Sequence, residues 1–153
     1  MKIPALLLGC AALALAASNP SVFQIRSASD IPSADSEQMT YKSKDGQTIP
    51  LYVQKEPLLD ISAVHSAEMV RDVAGSPFNV KITFTPEGRE RFAEATRQNV
   101  RKRIAVIIDG RVYAAPMIQS ELTAPSITIS GDIGTEQQAT ELAAKIQKAV
   151  DTK

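Results

Sequence analysis

This sequence of 153 residues has little of several things that would narrow its function at once. It has one cysteine, one histidine and no net charge, with 17 basic and 17 acidic residues. A single cysteine excludes a disulfide within the chain. The single histidine has no cysteine or carboxylate cluster at ligand spacing, which argues against a metal site. The neutral balance argues against nonspecific attraction to nucleic acid, so we expect no nucleic-acid partner.

The N-terminus has the layout of an export signal. Lys2 is followed by an uncharged, largely apolar run from Ile3 to Ala17. This run is shorter than the ~20 residues that cross a bilayer, so it predicts a cleaved signal peptide and no transmembrane helix in the mature chain. Ala14 and Ala16 form the small-residue pattern that precedes a cleavage site. The predicted signal peptide therefore covers residues 1–16.

Cys10 allows a second interpretation of the same segment. Leu7-Leu8-Gly9-Cys10 resembles the lipobox of bacterial lipoproteins, in which the cysteine is lipidated and becomes the new N-terminus. The signal would then end before Cys10. In a lipoprotein the cysteine is normally followed by a polar tether, whereas here the residues after Cys10 stay apolar up to Ala17. Both alternatives stay open. Either one predicts a chain that works outside the cytoplasm, in the periplasm, soluble or lipid-anchored.

The rest of the chain divides in two by composition. Residues 17–46 are rich in Ser, Asp and Gln and have no sustained hydrophobic period, so they predict a flexible linker. Residues 47–153 have regular hydrophobic patterns and enough length for one domain with its own core.

Hydrophobic alternation and turn residues predict the strands of this domain. The clearest alternation places Phe78, Val80, Ile82 and Phe84 on one face. The apolar run 104–108 predicts a central strand covered on both faces, and the Asp-Gly pair after it predicts a two-residue hairpin turn. The predicted strands lie at about 47–54, 67–73, 78–84, 104–108, 111–115 and 126–130.

Capping residues predict the start of two helices. Thr85-Pro86-Glu87 combines a capping hydroxyl, a proline in the first turn and an acid at the positive end of the helix dipole, which predicts a helix to about Asn99. Thr135 and Gln138 predict a capping box that opens the last helix. The predicted fold class is therefore α+β, with a mostly antiparallel sheet and two main helices packed on one face.

Five blocks of this sequence, in the same order and with fitting gaps, resemble the head subdomain of the P1 domain of SecD, a subunit of the Sec protein translocase. The resemblance covers roughly residues 47–150. The blocks are Leu51-Tyr52-Val53 to Glu56-Pro57-Leu58-Leu59, Ile82-Thr83-Phe84-Thr85-Pro86-Glu87-Gly88 to Phe92-Ala93-Glu94-Ala95-Thr96, Asn99-Val100-Arg101-Lys102-Arg103-Ile104-Ala105, Asp109-Gly110-Arg111-Val112 to Ala115-Pro116, and Ile129-Ser130-Gly131.

This resemblance implies a non-enzymatic, extracytoplasmic domain that binds exported polypeptides or assists Sec-dependent translocation. Its implied partners are exported polypeptides or Sec translocon components. The chain departs from the family in lacking the SecD membrane region, and Arg101 stands where the family usually has glycine. The alternative function is an envelope-anchored interaction lipoprotein, tethered through Cys10, that recognises a folded partner.

The residues offer no catalytic, metal-binding or cofactor-binding set. His65 has no recognisable nucleophile or second ligand, and Glu87, Glu90 and Glu94 are typical of a solvated helix face. One charged feature supports a hypothesis of partner contact, namely the cluster Arg97, Arg101, Lys102 and Arg103. The competing interpretation is that these cations follow a helix C-terminus because the helix dipole favours them there.

Overall fold

A computed structural model describes residues 21–43, 45–71, 78–131 and 133–153. The predicted signal peptide and Cys10 lie outside these residues. Within them the chain forms nine strands, one 3₁₀ turn and two α-helices. In chain order they are β1 (Phe23–Ser29), β2 (Ser36–Lys42), β3 (Thr48–Gln54), β4 (Leu59–Asp60), the 3₁₀ turn (Ile61–Ala63), β5 (Val64–Val70), β6 (Asn79–Phe84), α1 (Pro86–Gln98), β7 (Arg103–Ile108), β8 (Arg111–Ala114), β9 (Ser126–Ile129) and α2 (Glu136–Asp151).

The strands form two sheets. The larger has the order β2-β3-β1-β7-β8, with the short β4 also paired to β1, and the smaller has the order β5-β6-β9. Every pair of strands is antiparallel. The predicted α+β class with antiparallel strands and two main helices is confirmed, while its strands are divided between two sheets.

The prediction of a flexible linker over residues 17–46 is wrong for the greater part of that range. β1 lies in the middle of the larger sheet, between β3 and β7, and β2 pairs with β3 along its whole length. β1 has polar residues at most positions, and its strand conformation depends on a partner far away in sequence. Phe23 and Ile25 are fully buried by that pairing, so the domain begins well before residue 47.

Two hydrophobic clusters cover opposite faces of the β1–β7 pair. Ile104, Val106 and Ile108 of β7 lie in the main core with the inward faces of both helices and of the smaller sheet. Ala105 and Ile107 lie in a second cluster with residues of β3 and β8. β7 is therefore covered on both faces, as its continuous apolar run predicts.

Local capping signals are confirmed at both α-helices. Thr85 Oγ1 accepts a hydrogen bond from Gly88 N at 2.9 Å, with Pro86 in the first turn of α1. Thr135 and Gln138 form the reciprocal capping box of α2. The buried stripe of α1 includes Phe92, whose ring centroid lies 4.8 Å from that of Phe84 on β6.

The predicted hairpin joins β7 to β8. Asp109 and Gly110 have φ of 51° and 78°, so both turn residues adopt the left-handed conformation that this turn requires. β5 starts at Val64, three residues earlier than the predicted strand, and it contains a bulge between Val64 and Ser66. No helix in the described ranges has the length and hydropathy needed to cross a membrane.

Candidate functional site

The four cations of the predicted contact cluster fall at the corner where α1 turns into β7, and they have different environments. Arg97 lies in the last turn of α1 and forms an ion pair with Glu94. That contact raises the pKa of Arg97 and lowers the pKa of Glu94, and the charge of Glu121 also raises the Arg97 pKa. The helix-dipole interpretation therefore fits Arg97, which is already paired with an acid.

Arg103 is held by the fold. It lies at the start of β7, and its guanidinium donates to Ala115 O at 3.0 Å and lies 3.5 Å from Asp30 Oδ1. About 29% of its side chain is exposed. Arg103 therefore joins three segments of the larger sheet and offers little charge to a partner.

Arg101 and Lys102 are the exposed members of the cluster. They lie three and four residues beyond Gln98, the last residue of α1, where the helix dipole also favours a positive charge. In the described part of the chain, no carboxylate forms an ion pair with either side chain. Of the four predicted contact residues, the structure thus leaves these two cations available at the surface.

A loop of residues 115–125 packs against this corner, and we call it the corner loop. Arg101 N donates to Ile118 O at 2.7 Å, and Ile118 N donates to Lys102 O at 2.9 Å. Leu122 N donates to the hydroxyl of Thr96, a fully buried residue of α1. These bonds fix the backbone of the loop both to α1 and to the residues that follow it.

The corner loop carries two exposed apolar residues that the sequence analysis did not select. Met117 is 47% exposed and Leu122 is 39% exposed. The sequence does contain a signal for these two residues, because both lie in a segment bounded by Pro116 and Pro125. Such a segment is expected to be an exposed turn, and exposed turns are usually polar. The corner surface therefore combines two free cations with two apolar side chains.

Groups suited to chemistry do not converge elsewhere in the described residues. His65 is exposed at the bulge of β5. No group of three or more His, Cys, Asp or Glu side chains there could hold a metal ion. A shallow depression on α1 is lined by Leu58 and Ala95 together with Glu90, Arg91, Glu94 and Gln98, and it exposes more apolar than polar surface.

The comparison with protein families matches residues 36–149 to the SecDF P1 head subdomain. That range includes every element from β2 to most of α2. The chain belongs to the SecDF P1 head family. β1 precedes the matched range, although it is central to the larger sheet of this P1 head.

Curated relatives agree with this assignment. The P1 head is 44% identical over 87 residues to the protein translocase subunit SecDF of Thermus thermophilus. This alignment covers 57% of this chain and 12% of that protein. It is 31% identical over 114 residues to the protein translocase subunit SecD of Magnetococcus marinus. This second alignment covers 72% of this chain and 21% of that protein. The chain thus spans about a fifth or less of the length of these relatives.

Two solved structures have the same fold. One is described as a membrane component SecDF that enhances protein export, and it matches 83% of this chain and 62% of its own, with a TM-score of 0.63 and 26% identity. SecDF in a super-membrane-facing form matches the same share of this chain and 18% of its own, with the same TM-score and identity. The P1 head of this chain therefore corresponds to one part of a larger membrane protein.

Proposed function

We propose that this chain is a non-enzymatic, extracytoplasmic P1 head that binds polypeptides and assists Sec-dependent protein translocation. The observation that carries the proposal is the match of 83% of the chain to a SecDF described as enhancing protein export. The head is closed around its own core, which includes both helices and both sheets. It therefore has the internal packing of a domain that folds around its own core.

The described surface supports binding rather than catalysis. His65 is exposed and makes no hydrogen bond within the described residues, so it is not positioned as a base beside a nucleophile. The corner surface and the strand edges instead present apolar groups, cations and backbone groups. These are the groups with which proteins recognise peptides.

The test is photo-cross-linking of the purified full chain to an exported precursor held unfolded. A benzophenone-labelled precursor should cross-link to the chain, and the same precursor after folding should cross-link much less. Equal labelling by both forms, or no labelling by either one, would contradict polypeptide binding.

The corner surface favours a second candidate function, recognition of a folded partner by an envelope-anchored lipoprotein. Arg101 and Lys102 at the turn, with Met117 and Leu122 on the corner loop, provide the mixture of charge and apolar area that is common at interfaces. Mass spectrometry of the mature N-terminus tests the anchor, because a lipid on Cys10 would support it and an unmodified N-terminus at Ala17 would exclude it.

The partner contact is tested by charge reversal. R101E combined with K102E should reduce co-purification of translocon subunits or another partner from intact envelopes. K55E combined with K148E is the matched control, because both lysines are exposed cations away from the corner. Equal recovery with both double variants would exclude the corner as the contact surface.

A further inference from the structure

Each sheet ends in two edge strands, and an edge strand presents backbone groups that another chain can pair with. In the smaller sheet, the outer edge of β5 is covered by α2 and the residues after it. Gln147 Oε1 accepts a hydrogen bond from Ala67 N at 3.0 Å, and Lys153 Nζ donates to Val64 O at 2.5 Å. The β5 edge is therefore occupied by side chains of the same molecule.

The edges of the larger sheet protect one another. The sheet curves so that its two outer strands, β2 and β8, lie in contact. Both carry charged residues, with Glu37 and Lys42 on β2 and Arg111 on β8. Contact and charge are two of the ways in which natural proteins block edge pairing.

The fourth edge belongs to β9. One hydrogen bond shows which residues of β9 direct their backbone groups towards β6 and which direct them outwards. Phe84 N donates to Pro125 O at 2.9 Å, which makes residues 84 and 125 a hydrogen-bonded pair of the β6–β9 ladder. Such pairs alternate with non-hydrogen-bonded pairs along an antiparallel ladder. Ile127 and Ile129 therefore direct their N–H and C=O groups towards β6, in register with Ile82 and Val80.

Ser126 and Thr128 alternate with these isoleucines along the strand, so they direct their N–H and C=O groups away from β6. In the described part of the chain these four groups have no hydrogen-bond partner, and no strand pairs with this edge. β9 has the sequence SITI, without charge or proline. It therefore lacks the charged or proline residues that protect edge strands elsewhere.

We propose that the outer edge of β9 binds an extended polypeptide segment by β-strand addition. The occupant follows from the chemistry of the edge, because alternating donors and acceptors at strand spacing are matched by another extended backbone. The assignment rests on the proposed function, which supplies polypeptide as the partner. It adds the location and the binding mode.

The side chains of β9 indicate which segments would fit. Ile129 is buried and Ile127 packs against the main core, whereas Thr128 is exposed on the opposite face. An added strand would place alternate side chains beside the isoleucines and the others beside Thr128. We therefore expect a preference for short segments that alternate apolar and small polar residues. Four residues of β9 can pair, so binding should be weak and readily reversible.

Amide hydrogen exchange of the full chain tests this inference. The probe is an acetylated, amidated hexapeptide of alternating threonine and valine, at ten times its measured Kd. At that concentration the Ser126 and Thr128 amides should exchange roughly tenfold more slowly than in the free protein. The Ile127 and Ile129 amides already donate to β6, so their exchange should change little.

The variant T128P tests the same edge by binding. Proline removes the outward N–H of Thr128 and places its ring against an incoming strand, while the bonds of Ile127 and Ile129 to β6 stay in place. Peptide affinity should fall at least tenfold. T128V is the matched control because it keeps the backbone donor and the branched side chain, and it should bind like the unmodified chain. The exchange footprint does not need the proline variant to fold.

The outcomes separate the two proposals. If the peptide binds but the Ser126 and Thr128 amides gain no protection, the β9 assignment is overturned and polypeptide binding stands. If the hexapeptide does not bind but the unfolded precursor still cross-links to the chain, the β9 assignment is overturned and polypeptide binding stands; if neither associates with the chain, both are overturned. Protection of these amides that grows with protein concentration in the absence of peptide would show that a second copy of the chain occupies the edge, which also overturns the assignment.

Discussion

Replacing Arg101 by glycine should stabilise the fold, although it removes a side chain. Lys102 N donates to Asn99 O at 2.9 Å, which closes a four-residue turn with Arg101 in its third position. The φ of Arg101 is 65°. A residue with a β-carbon is disfavoured in this left-handed region, and turns of this kind favour glycine at that position.

The expected gain is the difference between two effects. Left-handed backbone costs a non-glycine residue about 1–2 kcal/mol, while the greater freedom of glycine in the unfolded chain costs about 0.5–1 kcal/mol. No described carboxylate pairs with Arg101, so little side-chain interaction is lost. R101G should therefore raise the free energy of unfolding by about 0.75 kcal/mol.

The adjacent variant K102G is a matched control. Lys102 is also an exposed cation, but it is not among the non-glycine residues with positive φ. It gains no relief from strain, so K102G should lower the free energy of unfolding by about 0.5–1 kcal/mol. The two variants change charge and flexibility alike and differ in the sign of their effect.

Urea unfolding followed by circular dichroism measures this difference. With a slope of about 2 kcal/mol per molar urea, R101G should raise the midpoint by about 0.4 M and K102G should lower it by a similar amount. The slopes should stay equal to that of the unmodified chain. A midpoint for R101G at or below that of K102G would refute the argument from backbone strain.

Three further changes test the packing and the charges. G88A should destabilise the protein by about 1–3 kcal/mol in urea unfolding, because a β-carbon at Gly88 would lie 2.2 Å from Ala63 O; a stabilised variant would contradict this close approach. F92A should cost about 3–5 kcal/mol, since Phe92 is 2% exposed in the main core; a loss below 1 kcal/mol would show that the site collapses around the cavity. The Ser62 hydroxyl donates to Asp60 and lowers the pKa of that carboxyl below its ordinary value of 3.8. A lowered folded-state pKa adds stability above the ordinary value and loses it as the pH falls through the folded-state pKa. Stability measured below pH 4 should thus fall less steeply in S62A than in the unmodified chain, and identical pH profiles would exclude this contribution.

Features that act within a few residues were predictable from the sequence. Thr85 and Pro86 start α1 because a hydroxyl and a missing N–H suit a helix N-terminus in any fold. Asp109-Gly110 forms the predicted hairpin because both residues tolerate positive φ. The family resemblance also rested on such local blocks, and the match over residues 36–149 confirms it.

β1 was missed because its strand conformation depends on distant residues. It pairs with β7 from Phe23↔Ile108 to Ala28↔Arg103, so the paired residues are 75 to 85 positions apart in sequence. The alternation of apolar and polar residues in β1 is limited to Phe23 and Ile25, because the next residue on the same face is the polar Ser27. Ser27 instead donates to the side chain of Asn99 at 2.9 Å. A polar contact of this kind breaks the hydrophobic period from which a strand is predicted.

The candidate contact cluster shows the same division. Four nearby cations were evident from the sequence, but their availability depends on which carboxylates and carbonyl groups the fold brings to them. Glu94 is on the same helix as Arg97, whereas Asp30 and Ala115 reach Arg103 from other segments. Arg101 and Lys102 are left exposed by that arrangement.

The sequence by itself determined the helix starts, the β7–β8 hairpin, the two-sided burial of β7 and the family. Each depends on the energetics of neighbouring residues or on a pattern read along one segment. The tertiary structure alone decided that β1 is central, that the strands form two sheets, and that three of their four edges are covered while β9 stays open. Those properties depend on contacts between residues far apart in sequence, and no local preference encodes them.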